Sequence, residues 1–174
     1  MSAQKALLIE AIKAAFAEVE FPGNWCLQRS HEGDEPFAVA EDFKDKTDRY
    51  DIPAEFLDNS PKGLSSALSF LSIEAFRFYL PAYLIASINN ALQRADLLFC
   101  LTYGFTNNEL NQKLNPRRYG AMTYGDSQHH RMSVFNTRQR TCIVAYLQYK
   151  MHDGDVSAIE QERLTEALKN YWLL

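Results

Sequence analysis

The chain has 174 residues, 47% hydrophobic and 23% charged, a balance that excludes global disorder and is long enough for one sizeable buried core. Seven glycines and six prolines are too few for a collagen-like or low-complexity architecture. A net charge of −4, with a pI near 5.6, argues against general nucleic-acid binding through a positive field.

Leu8, Ile12, Ala15, Phe16 and Val19 recur at helical spacing and predict a first amphipathic helix. Ser2 is its predicted N-cap, and Phe21-Pro22-Gly23 its stop. Glu10, Glu18 and Glu20 interrupt what would otherwise read as the apolar stretch of an export signal, so a cytoplasmic location is expected. Residues 22–35 read as a loop, and Pro36 as the first position of a short helix reaching about Phe43. Residues 44–63 are polar and broken by Pro53 and Pro61, with one turn around Ala54 to Leu57.

The densest apolar segment follows. Ser72 caps a predicted helix with Ile73, Phe76, Tyr79 and Leu80 on one face. Pro81 lacks an N–H and clashes one turn back, which predicts a kink or a break into two helices. Tyr83, Leu84, Ser87, Ile88 and Leu92 continue the stripe. The longest charge-free run, Phe78 to Gln93, has sixteen residues. That is short of the ~20 apolar residues that cross a bilayer, so it is read as core, with no membrane association.

Residues 95–105 (ADLLFCLTYGF) fit either a buried helix or a strand, and residues 106–131 form the least regular stretch. Asn136 then reads as an N-cap, with Gln139 completing a capping box. Cys142, Ile143, Tyr146, Leu147 and Met151 form the apolar face of that helix. Asp153-Gly154-Asp155 ends it and opens a last helix from Val156 to about Tyr171, with Ile159, Leu164, Leu168 and Trp172 inward. The expected fold is all-α: one domain spanning residues 1–174, five to seven helices, one kinked at Pro81. A short strand pair between 97 and 124 stays open as an alternative.

The run from Leu68 to Leu84 (LSFLSIEAFRFYLPAYL) resembles the FLSxEAFRxYLPAYL-type segment of an uncharacterised bacterial protein family of unknown function. Phe135-Asn-Thr-Arg-Gln139 through Tyr146-Leu147 is similar to a late helix of the same family, so the resemblance covers residues 64–92 and 131–151. Ile73 stands where the family segment carries Pro, and either residue suits the first turn of a helix. The resemblance implies membership and no particular activity.

Several constellations invite a chemical reading. Glu74 and Arg77 stand at i, i+3 among apolar neighbours. A structural ion pair is the simpler account. The alternative is a small enzyme with a polar pocket around Glu74, Arg77 and Tyr79, in which Glu74 is acid or base and Arg77 or Tyr79 an oxyanion partner. Asp126, His129 and His130 are the one histidine cluster, without an H-E-x-x-H or C-x-x-C companion. A solvated loop is therefore favoured over a metal site, and neither metal nor cofactor is expected. Asp42, Asp45, Asp48 and Asp51 recur every third residue, which does not match the ligand spacing of a calcium loop. Cys26, Cys100 and Cys142 are far apart and suit a reducing compartment. No nucleophile elbow, phosphate loop or dinucleotide loop is present.

Charge is segregated along the chain. Residues 32–58 hold ten acids against three bases, a net −7, whereas residues 113–140 hold six bases against Asp126, a net +5. The acidic segment carries Phe37, Phe43, Tyr50 and Phe56 between its charges. Aromatic anchors with a charged rim suit an interface, so the leading expectation is a non-enzymatic interaction protein, an immunity- or antitoxin-type inhibitor of a basic protein partner. Asp42, Asp45, Asp48, Asp51, Phe43 and Tyr50 are its candidate contacts; association of identical chains is left open. A reading in which the basic stretch, with Tyr119, Tyr124 and Phe135, holds nucleic acid or phosphate ranks last because the chain is acidic overall.

Overall fold

The structure, a computed structural model, describes residues 3–152 and 154–174, and no strand occurs among them. The ten described α-helices are α1 (Ala3–Ala15), α2 (Asp34–Phe43), α3 (Ala54–Asn59), α4 (Ala67–Phe70), α5 (Ile73–Ile88), α6 (Leu97–Thr102), α7 (Pro116–Tyr119), α8 (Tyr124–Met132), α9 (Thr137–Met151) and α10 (Ala158–Ala167). A 3₁₀ turn spans Asn24–Cys26, and a π-helical turn, Leu168–Trp172, extends α10. The all-α expectation holds, with more helices than the five to seven foreseen. The additional ones are pieces of four to six residues, shorter than the window in which periodicity can be read. The chain divides into two units, Met1–Leu97 and Leu98–Leu174.

In the first unit α5 is apolar all round. Ala75, Phe76, Phe78, Tyr79, Leu80, Pro81, Ala82, Tyr83 and Leu84 are all buried, a pattern that requires cover on every side. α1 and α3 pack against it. The Ser72 hydroxyl accepts from the Ala75 N–H at 3.0 Å and donates to the Cys26 carbonyl at 2.5 Å, so the cap also fastens the preceding loop. Of the kink or break expected at Pro81, the break does not occur: one helix runs from Ile73 to Ile88. Proline costs an isolated helix ~3 kcal/mol. Burying each large neighbour returns ~1.5–3 kcal/mol, so packing outweighs the local penalty. The helix stops a turn short of Leu92. Asn90 takes φ +53°, and the Asn90 and Ala91 N–H groups donate to the Ser87 and Ala86 carbonyls in a Schellman-type ending.

Two buried ionic groups secure the segments around α5. The Arg49 guanidinium lies 4.0 Å from the Phe78 ring, donates to the Phe78 carbonyl at 3.1 Å and also donates to the Val19 carbonyl beyond α1. Asp58 Oδ1 accepts from the Gln93, Arg94 and Ala95 N–H groups at 2.9, 2.8 and 2.9 Å, drawing the chain after α5 back onto α3. α2 starts at Asp34, two residues before Pro36, because Asp34 and Glu35 suit the positive end of a helix. The proposed cap Ser2 lies outside the described residues.

In the second unit the ambiguous 97–105 run forms α6, and no strand pair follows. A single antiparallel bridge, Lys113 to Thr123, closes a loop, with Leu114 N–H donating to Met122 and Tyr124 N–H to Gln112. Pro116 at the start of α7 and the Asn115 cap fill the space a longer ladder would need. Residues 124–132, read as irregular, form α8, with a Thr123–Asp126 capping box. α9 begins as expected, with reciprocal Asn136 and Gln139 bonds. α10 begins at Ala158 behind a Ser157–Glu160 capping box. Leu164, Leu168 and Trp172 are buried, but Ile159 is 79% exposed, because it stands five residues before Leu164, about 140° round the helix from the buried stripe. Asp153, placed in the turn before α10, lies outside the described residues.

Burial pushes the Asp58 carboxyl up, but its three main-chain donors outweigh that and hold it below the usual carboxylate range. Its stabilising contribution is therefore present above the unfolded value of about 3.9 and lost as pH falls through the lower native value. Asp58→Asn keeps an acceptor oxygen and removes the charge; it is expected to lower stability by about 1–2 kcal/mol at pH 7. In urea denaturation the gap from the wild type should narrow as pH is lowered from 7 towards 3.

Candidate functional site

The acidic segment and the loop before it come together at one pair of residues. Asn24 Nδ2 donates to Asp45 Oδ1 at 2.7 Å, and the Asp45 N–H donates back to Asn24 Oδ1 at 3.0 Å. This pins the turn that carries Trp25, which is 86% exposed, beside the C-terminal end of α2. Gly23, at φ +91°, makes room for that ring: a Cβ there would stand 2.7 Å from the indole nitrogen. Asp42 accepts from the Lys62 N–H at 3.3 Å, and Asp48 from the Tyr50 N–H at 2.9 Å. Asp42, in the last turn of α2, thus holds the loop at Lys62, and Asp48 shapes the loop it stands in.

The aromatic residues of the segment divide. Tyr50 and Phe37 are 44% and 51% exposed, whereas Phe43 is wholly buried, with ring centroids 5.1 Å from Phe56 and 4.7 Å from Tyr79. Phe43 therefore belongs to the core and is not available as an interface contact. Arg49, one of the three bases of the segment, is also buried, as is Asp58 among its ten acids, so burial leaves the charge balance of the segment unchanged. Trp25 was not singled out by periodicity or charge; the readable signal is a lone tryptophan in a polar, Pro/Gly-flanked loop.

Glu74, Arg77 and Tyr79 occupy different environments. Glu74 is exposed in the first turn of α5, where Cys26 Sγ lies 3.6 Å from its Oε2, and Arg77 is half-buried. Burial raises the Cys26 thiol above its ordinary value, with the nearby Glu74 charge adding to the effect. The Tyr79 hydroxyl is deep in the first unit and donates to the Lys46 carbonyl at 2.9 Å; burial pushes its ionisation up. A phenol tied to main-chain carbonyls and held protonated is suited to packing.

In the second unit a cleft of about 370 Å³ is lined by Phe105, Leu110, Asn111, Thr123, Gly125, Asp126, His129, Asn170 and Tyr171. It gathers Asp126 and His129 from the sequence cluster, whereas His130 does not line it. Asp126 Oδ2 accepts from the Thr123 N–H at 2.9 Å and the Thr123 hydroxyl at 2.8 Å. These bonds hold the carboxyl below its usual range, and His129 adds a smaller pull. Among the described residues no group of three or more His, Cys, Asp or Glu side chains could hold a metal ion. Of the basic stretch, Arg131 and Phe135 are buried, while Lys113, Arg117, Arg118 and Tyr119 are exposed on the closed loop. No described helix is long and apolar enough to cross a membrane.

Tyr79→Phe removes a buried donor from the Lys46 carbonyl and should cost about 1–2 kcal/mol of stability, measured by chemical denaturation.

No curated protein and no solved structure matches the chain. A family match does, and it spans far more than the two segments that carried the resemblance. Residues 4–173 match it, and the chain belongs to the family of unknown function DUF6714.

Proposed function

We propose that the protein is a non-enzymatic interaction module that docks a basic protein partner on the acidic surface of its first unit, in the manner of an inhibitor that masks that partner. The observation that carries this reading is Trp25, 86% exposed and fastened through Asn24 to Asp45. The reciprocal bond fixes the turn that carries the indole, so less main-chain freedom is lost when a partner covers it. Large aromatic side chains dominate binding energy where charged residues surround them. Asp45 is bonded to the residue next to the indole, and Asp48, Asp51 and Glu55 of the same acidic segment are exposed as well. Their field would steer a cationic surface towards the indole and make association salt-dependent. The three cysteines are free thiols, in keeping with a protein that works in a reducing cytoplasm.

The test is capture of a partner from the native lysate with elution by salt, followed by affinity measurement with the purified pair. Asp48→Asn with Asp51→Asn and Glu55→Gln keeps the local acceptor to Tyr50 and removes three charges. It is expected to weaken binding by about tenfold or more and flatten its salt dependence. Trp25→Ala should weaken binding at every salt concentration. Unchanged affinity and salt dependence in the triple variant would remove this surface from consideration.

A further inference from the structure

The cleft of the second unit lies outside the acidic surface, and nothing in its architecture requires it to be empty. Its floor is rigid. Phe105 and Tyr171 stack at 4.1 Å with planes 4° apart, and the His129 ring meets Tyr171 edge-on at 5.2 Å. Gly125 allows the first turn of α8 to press on Leu110: a Cβ there would come within 2.6 Å of the Leu110 carbonyl oxygen. The wall formed by Phe105, Leu110 and Tyr171 is apolar, and no lysine or arginine lines the cleft.

Two of the polar lining residues, Asn170 and Asp126, have acceptor oxygens to spare. Asn170 spends its amide hydrogens on the Phe105 carbonyl at 2.8 Å and on Asn107 Oδ1 at 3.0 Å, which orients its own oxygen as an acceptor. Asn107 is in turn held by Glu166, to which its N–H and its side-chain amide both donate. Asp126 uses Oδ2 for the Thr123 cap, which leaves Oδ1 for another donor. Its carboxyl stays ionised at neutral pH, since the Thr123 bonds hold it below its usual range.

We infer that this cleft binds a small organic cation, a primary ammonium or guanidinium on a short apolar stem, whose N–H groups donate to Asp126 and Asn170 while the stem lies along Phe105, Leu110 and Tyr171. A carboxylate or phosphate would meet the Asp126 charge, and the Arg140 guanidinium beside the lining is already engaged with the Tyr171 carbonyl at 3.1 Å and with its ring. A purely apolar ligand would strand the two acceptors. A cleft of this size suits a ligand of a few heavy atoms up to about the size of an amino acid. Asp126 is exposed and hydrated, so affinity near the millimolar range is expected.

The probes are butylammonium and agmatine, titrated into the isotopically labelled full chain and followed by amide chemical shifts, with tetramethylammonium as a cation that has no N–H to donate. The expected result is saturable shifts for butylammonium, agmatine or both, centred on Leu110, Gly125, Asp126, His129 and Asn170, and none there with tetramethylammonium. Which of the two binds distinguishes an ammonium from a guanidinium ligand. Asp126→Asn keeps an oxygen for the Thr123 cap and should weaken binding at least about tenfold. Asn111→Lys, on an exposed lining residue, places a fixed cation at the cleft and should weaken it similarly without touching the core. Absence of saturable shifts with both donors, equal binding of tetramethylammonium, or unchanged binding in both variants would overturn the assignment.

Discussion

A helix without a polar face dictates the first unit. α5 has side chains of every orientation buried, so the chain before and after it must supply cover from all directions. The aromatic cluster of Phe43, Phe56, Phe78 and Tyr79 is one consequence: flat rings meeting edge to face fill the gap between the helix and its wrapping. Tolerance of Pro81 is another. A break there would turn part of a uniformly apolar surface towards water, and that cost exceeds one missing main-chain bond.

Wrapping of this kind brings loops, and their polar main chain, against an apolar centre. Arg49 and Asp58 answer that need from opposite chemistries: one donates to carbonyls, the other accepts from N–H groups. The buried guanidinium stands over an aromatic face, and its donors reach a carbonyl of α5 and one in the segment after α1. Burial lowers its proton affinity from the ordinary arginine value, and the arginine remains protonated at physiological pH. In the second unit Glu109 has a comparable place. Burial pushes its carboxyl up, yet a two-pronged contact with Arg163 at 3.1 Å and the Gly104 N–H at 2.9 Å hold it low.

What could be read from the sequence follows from how local its cause is. The caps at Ser72 and at Asn136 with Gln139 were legible because four consecutive residues suffice to make them. α8 was not, because its residues YGDSQHHRM are polar and its cap sits in a Thr-x-x-Asp pattern that gives no apolar period. Ile159 shows the opposite failure: an apolar residue in a helical run whose spacing from Leu164, about 140° round the helix, takes it off the buried stripe. At the acidic surface, charge was readable along the chain but burial was not. Phe43 and Tyr50 look equivalent between aspartates, and only packing against Tyr79 separates them. The cleft was less legible still. Asp126 and His129 are close in sequence, but Leu110, Asn170 and Tyr171 reach them only through the packing of the second unit.

The Asp58 contact has a consequence for the motions of the first unit. Gln93, Arg94 and Ala95 belong to no helix, and amides in such a segment ordinarily exchange their hydrogens quickly with water. Here all three point at one carboxylate oxygen, so none can open to solvent independently of that anchor. Slow, collective hydrogen exchange, as in a regular element, is expected of the segment, with a single side chain serving as its entire ladder.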